Sequence, residues 1–421
     1  LKKQAISITL INKVKNGCSG MMKYQDYSYE NLVKFENYIT DSPKTILARK
    51  IYNSYIIEDA ISILGEKIDN LLKINNKNNK DIITVKSNRY KFSFDILQKQ
   101  TIKNLIRCSP TTYLFDRNLI IRRLKLILQA GGDFYIHKID IESFYESFDK
   151  NLIIENIVKI KELSPVSKNL LSNIISFSPS GLPRGLAISS TLSDILMNEF
   201  DRNIMLNDNI FFYSRFVDDI IIISSKNFET INLIDILLKE LPNLKLNKSK
   251  SLTLHHSKKN NESLEFNYLG YLFKKKPIEN GGSKLIIDIS DNKIKKIKTR
   301  IVKSLLDYNK SKDKDLLIQR IKFLSCSYKL YIIRDGRHIN SGIRFNYPEI
   351  TDTTPNSLKN IDQFFKSLIL GKNKRIGMIV NDKKLKNTLL SMSFLKFYKN
   401  KTFFKFSINE INKIKECWKN E

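Results

Sequence analysis

The chain has 421 residues, 42% of them apolar and 10% aromatic, enough for a sizeable core and for two or three domains or subdomains. Lys and Arg number 72 against 43 Asp and Glu, a formal net charge of +29, which points to a polyanionic partner, nucleic acid before an anionic membrane. No run of about 18 uncharged apolar residues occurs, which argues against a membrane-spanning helix, and the four cysteines and four histidines lack zinc or disulfide-framework spacing. The opening "LKKQAISITLINKVKNG" has no continuous apolar centre of the signal-peptide kind, so a reducing, cytoplasmic setting is expected.

In chain order, residues 28–73 read as helical, with apolar periodicity in "EDAISILGEKIDNLLKI". "NNKNNKD", Asn75 to Asp81, reads as a polar, exposed loop. "LIIRRLKLILQAGG" reads as a basic helix ended by glycines. "FYIHKIDIESFYESF" starts as a strand at Phe134 and turns toward helix after Asp140, which would leave Glu142, Glu146 and Asp149 as solvated helix residues. "SPSGLPRGLAISSTLSDILMNEFDRNIM" is a Gly/Pro loop running into a helix with an apolar face of Ile188, Leu192, Ile195, Leu196 and Phe200, capped by Ser189 or Ser190.

The stretch "YSRFVDDIIIISS" then puts two adjacent carboxylates, Asp218 and Asp219, between two short strands. Two readings stand. One is a solvated Asp-Asp turn. The other is a divalent-metal site, which needs a third carboxylate elsewhere. Asp140, at the end of an apolar strand, is placed to be that third acid if the two strands share a sheet. "LIDILLKELP" reads as a helix, and "LEFNYLGYLF" as a strand pair with a tight Leu269-Gly270 turn. "DNKIKKIKTRIVKSLLDYN" is an amphipathic helix with Ile294, Ile297, Ile301 and Leu305 on one face and lysines elsewhere, and the remainder reads as mostly helical. The pattern over 134–275 is that of an α+β fold.

In order and spacing these segments resemble the palm motifs of reverse transcriptases. "DIESFY" resembles motif A, "GLPRGLAISSTLSDIL" motif B, "FVDD" motif C, "LKLNKSKS" motif D and "FNYLGYLF" motif E, the primer grip. The resemblance implies a right-hand polymerase: an N-terminal helical region over 1–95, a fingers–palm domain over 96–285, and a basic helical thumb and C-terminal region over 286–421. It implies nucleotidyl transfer from dNTPs with two Mg2+ ions, Mn2+ being an alternative. The ligands would be Asp140, Asp218, Asp219 and the Ile141 carbonyl, with the three aspartates catalytic. Tyr145, or Phe144 beside it, would face the sugar and exclude a 2′-hydroxyl. Arg184, Gly185 and Lys250 would contact the dNTP, with Lys250 placed to protonate departing pyrophosphate. Leu182 and Pro183 would underlie the nascent pair, Tyr268, Leu269 and Gly270 would support the primer end, and Lys295 and Lys298 would track the duplex. Arg107, Arg117, Arg122, Arg123 and Lys125 would face template and triphosphate.

Two departures narrow the likeness. Arg184 stands where many retroviral and intron-type enzymes have Gln, and the Ser-rich helix start lacks the Pro that often follows it there. The segment instead resembles the abortive-infection and unknown-group bacterial enzymes of phage defence. That lineage implies a noncoding RNA, a partner protein or a homo-oligomer beside an RNA template, a DNA product and dNTPs, with no membrane. Two rival readings remain: an untemplated or protein-primed DNA polymerase, and a catalytically silent nucleic-acid-binding scaffold.

Overall fold

The computed structural model describes residues 24–39, 45–77, 79–109, 116–130, 132–227, 239, 241, 243–257, 263–278, 283–331, 338–371 and 380–419. The helix expected at "LIDILLKELP" lies outside them, apart from Lys239 and Leu241. The chain divides into two compact units, 1–114 with 135–253, and 115–134 with 254–421.

In the first unit, "NNKNNKD" is not an open loop. It is the tip of an antiparallel hairpin of β1 (Leu72–Lys77) and β2 (Lys80–Val85), paired from Leu72–Val85 to Lys77–Lys80. Polar residues hid the strands because β1 is solvated on both faces: five of its six residues are exposed. Helix Asn88–Cys108 follows, started by the Ser87 hydroxyl, which accepts from the Arg89 N–H. Phe94, Leu97 and Leu105 on its inner face are fully buried.

A buried polar ladder ties that helix to its neighbours. The Tyr27 hydroxyl bonds Thr101 at 2.7 Å and Ser167 at 2.9 Å. The Asn104 side chain donates to the Gln25 carbonyl and to the Ser167 hydroxyl, both at 2.9 Å. The paired hydroxyls and the Asn104 amide fix register between these elements, although Gln100, which donates to Asn104 at 3.1 Å, leaves its own buried carbonyl oxygen without a partner. The ladder also seats helix Pro165–Phe177, which begins with Pro at its first turn and Ser164 as cap.

The central sheet has the order β4-β5-β3-β6, from β3 (Phe134–Asp140), β4 (Ile210–Phe216), β5 (Asp219–Ser224) and β6 (Leu252–His256). β3 pairs antiparallel with β5 from Tyr135–Ser224 to Asp140–Asp219. Ile139, Ile220, Ile222 and Tyr213 face helices whose buried residues include Phe94, Ile174 and Leu192. After Asp140 the chain makes a succession of turns rather than a helix, and helical structure resumes only at Lys150, capped by the Asp149 carboxylate. The helix after motif B is two, Ile188–Leu196 and Asn198–Met205, separated by Met197. Neither serine caps it: Ala187 holds the cap position, and the Ser189 hydroxyl donates to the Pro183 carbonyl at 2.6 Å.

The second unit contains helix Arg117–Ala130, a three-stranded antiparallel sheet and a helical region. The sheet runs β7 (Leu264–Tyr268), β8 (Tyr271–Pro277) and β9 (Ser283–Ile289). The basic helix spans Asp291–Ser311 and buries Ile294, Ile301 and Leu305, while Ile297 stays partly exposed. The remainder is less purely helical than its periodicity suggests. β10 (Ser327–Tyr331) lies between β11 (His338–Gly342) and β12 (Phe403–Lys405) in a small mixed sheet.

Candidate active site

The register of β3 on β5 makes Asp140 and Asp219 direct cross-strand partners. Their Cα atoms are therefore about 4.5–5.5 Å apart, on one face of the sheet. Asp218 occupies the tip of the β4–β5 hairpin. Phe216 pairs with Asp219, so Val217 and Asp218 alone form the turn. Val217 has φ 61°, a left-handed conformation that glycine or asparagine usually supplies and that strains a β-branched residue. Side-chain packing on the core helps to hold it there.

Arg215, one strand position back, also holds the turn. Its guanidinium donates to the Val217 carbonyl at 3.2 Å, to Asp194 at 3.1 Å, and to Asp201 through Nε at 2.9 Å and a terminal nitrogen at 2.7 Å. Tyr213 donates its hydroxyl to the same Asp201 carboxylate. Burial pushes Arg215 toward neutrality, but Asp201, Tyr213 and Asp194 outweigh it and hold the cation charged. Arg215, Asp194 and Asp201 were not picked out from the sequence. The available signal was the pair of acids seven residues apart in "SDILMNEFD", on the otherwise apolar side of a helix.

The Asp219 carboxyl is raised above the usual carboxylate range by burial first, then by the charges of Asp218 and Asp140, against the opposing pull of Lys138 and Lys250. The three acids thus share one negative field. Lys250 partly answers it, with Nζ 3.4 Å from an Asp140 oxygen and its side chain 65% exposed. The segment bearing Lys250 is stitched to motif A by Glu142 N–H to Lys245 carbonyl and Asn247 N–H to Asp140 carbonyl, both 2.8 Å. Ile141 and Leu246 form the bridge between those bonds. This is the non-hydrogen-bonded kind of pair, which draws on neither Ile141 backbone group.

Among the described residues, no three acidic, histidine or cysteine side chains are gathered closely enough to grip a metal as they stand. The donor set is nonetheless carboxylates and a carbonyl, which suits a hard divalent ion.

Of the two aromatic candidates, Phe144 is 3% exposed and packs edge-on against Phe148 at 5.1 Å, so it belongs to the core. Tyr145 is half-buried. Its phenol is pushed up by burial and by the charges of Asp218 and Asp194, against Arg184 and a hydrogen bond from Ser190. Tyr145 therefore lies within electrostatic reach of the Asp218 carboxylate.

The motif B loop is built on motif A and on the β1–β2 hairpin. Leu182 N–H donates to the Tyr145 carbonyl at 2.7 Å, and Ile83 N–H to the Arg184 carbonyl at 2.8 Å. Gly181 and Gly185 have φ 42° and 99°, and a Cβ at either would lie 2.2 Å from the Tyr145 carbonyl or 2.6 Å from that of Ile83. Only glycine fits these two approaches. Leu182 and Pro183 are buried. Arg184 does not project freely: it forms two parallel bonds to Glu146, at 2.7 and 3.0 Å. Glu146 is a paired, partly buried group rather than a solvated one. Burial pushes its carboxyl up, but Arg184 and a backbone N–H outweigh that and hold it below the usual range.

The second unit holds the remaining candidates. Leu269 and Gly270 have φ 45° and 82° and close the β7–β8 hairpin between Tyr268 and Tyr271. Arg117 donates twice to the Leu269 carbonyl, at 3.0 and 2.7 Å, and once to that of Asn346 at 2.6 Å, lying over the rings of Tyr271 and Tyr347. Arg122 and Lys125 pair with Glu349 at 3.2 and 3.0 Å. These cations brace their own unit, although the Arg122 side chain stays 62% exposed. Lys295 is exposed, whereas Lys298 bonds Asn360 and lies over the Phe364 ring.

Residues 73–273 match the family model described as reverse transcriptase (RNA-dependent DNA polymerase), just under half of the chain. The matched segment contains all three aspartates and the whole motif B loop. It is a reverse transcriptase domain, and the class of enzyme such a domain defines is the nucleotidyltransferases.

Among solved structures, apo telomerase from Candida tropicalis truncated from its C-terminal domain is similar at TM-score 0.37 and 14% identity, over 51% of this chain and 54% of that one. Telomerase from Candida tropicalis in complex with a TWJ fragment of telomeric RNA gives 0.37 and 13%, over 84% and 64%. The corresponding Candida albicans complex gives 0.36 and 12%, over 89% and 68%. This chain spans about half the length of the first of these telomerase chains. No curated protein matches the chain. Among the described residues, no helix is long and apolar enough to cross a membrane.

Proposed function

We propose that the protein is an RNA-directed DNA polymerase that extends a 3′-hydroxyl with dNTPs. One observation carries the reading: the Asp140–Asp219 pairing across β3 and β5, with Asp218 at the adjoining tip. Two carboxylates on one cross-strand position and a third on the strained turn beside it make a poor structural element. They make a good site for attack at a phosphate.

Asp140, Asp218, Asp219 and the Ile141 carbonyl would hold the ions. Divalent cations bound there would supply Lewis-acid activation of the hydroxyl and neutralise the triphosphate. The other roles belong to the chain itself. Tyr145 presents its ring beside Asp218 and limits space at the sugar 2′ position. The Gly181–Gly185 loop would form a floor under the nascent pair, its two glycines letting it close onto the Tyr145 and Ile83 carbonyls. Lys250 is poised at Asp140 on an exposed side chain, from where its ammonium would protonate the departing pyrophosphate. The β7–β8 turn fits a primer grip, and the Asp291–Ser311 helix, with Lys295 on its open side, fits a thumb. Of the two duplex candidates there, Lys298 is already engaged by Asn360.

Beyond the chemistry, the motif B likeness to abortive-infection and unknown-group enzymes supports a role in bacterial antiphage defence, in the cytoplasm. A noncoding RNA, a partner protein or a second copy would act with it. Sequencing nucleic acid that copurifies with the protein, with and without phage, tests that role. Absence of any enriched RNA or DNA would count against it.

The enzymatic reading is tested by labelled-dNTP incorporation on a primed RNA template with Mg2+. Wild type should incorporate label, and Asp218→Asn should lose the signal while still binding nucleic acid. Equal signals from the two would leave a scaffold, not a polymerase.

A further inference from the structure

The Arg184–Glu146 pair is unusual in where it sits. Glu146 follows Tyr145 directly in the chain, yet its carboxylate reaches the motif B loop and takes both forks of Arg184, with side chains only 25% and 29% exposed. The guanidinium thus fixed lies over the Tyr145 ring, 5.5 Å from its centroid. The same residue is tied at its backbone carbonyl by the Leu182 N–H, at 2.7 Å. Tyr145 is therefore held at two points, and the one that acts on its ring, the guanidinium, depends on a separate ion pair.

We propose that Glu146 and Arg184 form a clamp that sets sugar selectivity by holding the Tyr145 ring against the 2′ position. This rests on the polymerase reading given above. A ring excludes a hydroxyl only if it cannot turn aside, so selectivity needs a stiff support as well as an aromatic residue. Two parallel N–H to oxygen bonds fix the plane of a guanidinium, and a planar cation on a ring face adds attraction of its own. With its charge answered by Glu146, Arg184 serves as a lid on the ring rather than as a free triphosphate ligand. Glu146 is thus a positioning residue, acting through Arg184 and Tyr145.

The test compares kcat/KM for a dNTP and its matching rNTP on the same RNA template and DNA primer. Loss of the clamp in Glu146→Gln should lower the dNTP-over-rNTP ratio by about tenfold or more, the scale on which a pocket contact discriminates. Arg184→Lys carries the same expectation, since it keeps the charge but loses the fork and the stacking. It also carries the test if Glu146→Gln fails to fold. Tyr145→Ala should relax the ratio too, and adding Glu146→Gln to it should relax it no further. A wild-type ratio in both clamp variants would overturn the proposal. So would an equal change in kcat/KM for the two nucleotides, which would make Arg184 a phosphate ligand that Glu146 restrains. A wild-type protein that incorporates neither nucleotide would defeat the polymerase reading itself, a result distinct from the other two.

Discussion

Val217 shows how a single residue serves the site. Its left-handed backbone costs on the order of 1–3 kcal/mol, and its side chain returns part of that by packing on the core. Val217→Gly removes the strain and the packing together. Thermal unfolding should therefore shift by no more than about 1 kcal/mol, while nucleotide incorporation slows because the Asp218 tip is less firmly placed. An unchanged rate would show that the strain has no part in positioning the acid. His137 shows a second residue-scale effect. It lies in β3 with its ring nitrogens 3.1 Å from the Thr253 and Ser224 hydroxyls, and burial pushes its pKa down to about 4. An exposed histidine titrates near 6.5. The unfolded chain therefore takes up this proton first, and the stability tied to neutral His137 is complete above pH 6.5 and lost as pH falls toward 4. Denaturant titrations over that range should show less pH dependence in His137→Gln than in wild type.

At the scale of elements, the hairpin carrying motif C is held by charge as much as by strand pairing. Arg215 is 9% exposed and Asp201 1%, so each depends on the other. Arg215→Met would leave Asp201 buried without its cation, a change that costs about 3–5 kcal/mol. Chemical denaturation should register that loss. Replacing both partners with apolar residues should recover much of it without restoring activity, because the Val217 carbonyl keeps no donor. This network was hard to read from sequence, because a buried arginine and a surface arginine look alike until tertiary partners are known. The β1–β2 hairpin escaped for a related reason: a solvated ribbon has no apolar alternation to betray it. By contrast the β3, β4–β5 and β7–β8 strands were legible. Isoleucine runs ending in acids, and a tight turn written Leu-Gly, leave few other solutions.

For the whole molecule, the order of acids, glycine loop and hairpins along the chain was enough to anticipate the α+β sheet and the meeting of Asp140 with Asp219. Individual cations were not legible. Arg117, Arg122, Lys125 and Lys298 looked available for nucleic acid and Arg184 for the dNTP, and all are engaged within their own units. A net charge of +29 describes the field around the protein, not which side chains deliver it. The central claim is that this site copies a template. Offering the wild-type protein a homopolymeric RNA template with a short DNA primer, and each of the four dNTPs singly, tests it most directly. The account predicts that only the nucleotide complementary to the template is added, in a Mg2+-dependent reaction that Asp140→Asn and Asp218→Asn abolish. Addition that ignores the template, or persists in both variants, would contradict it.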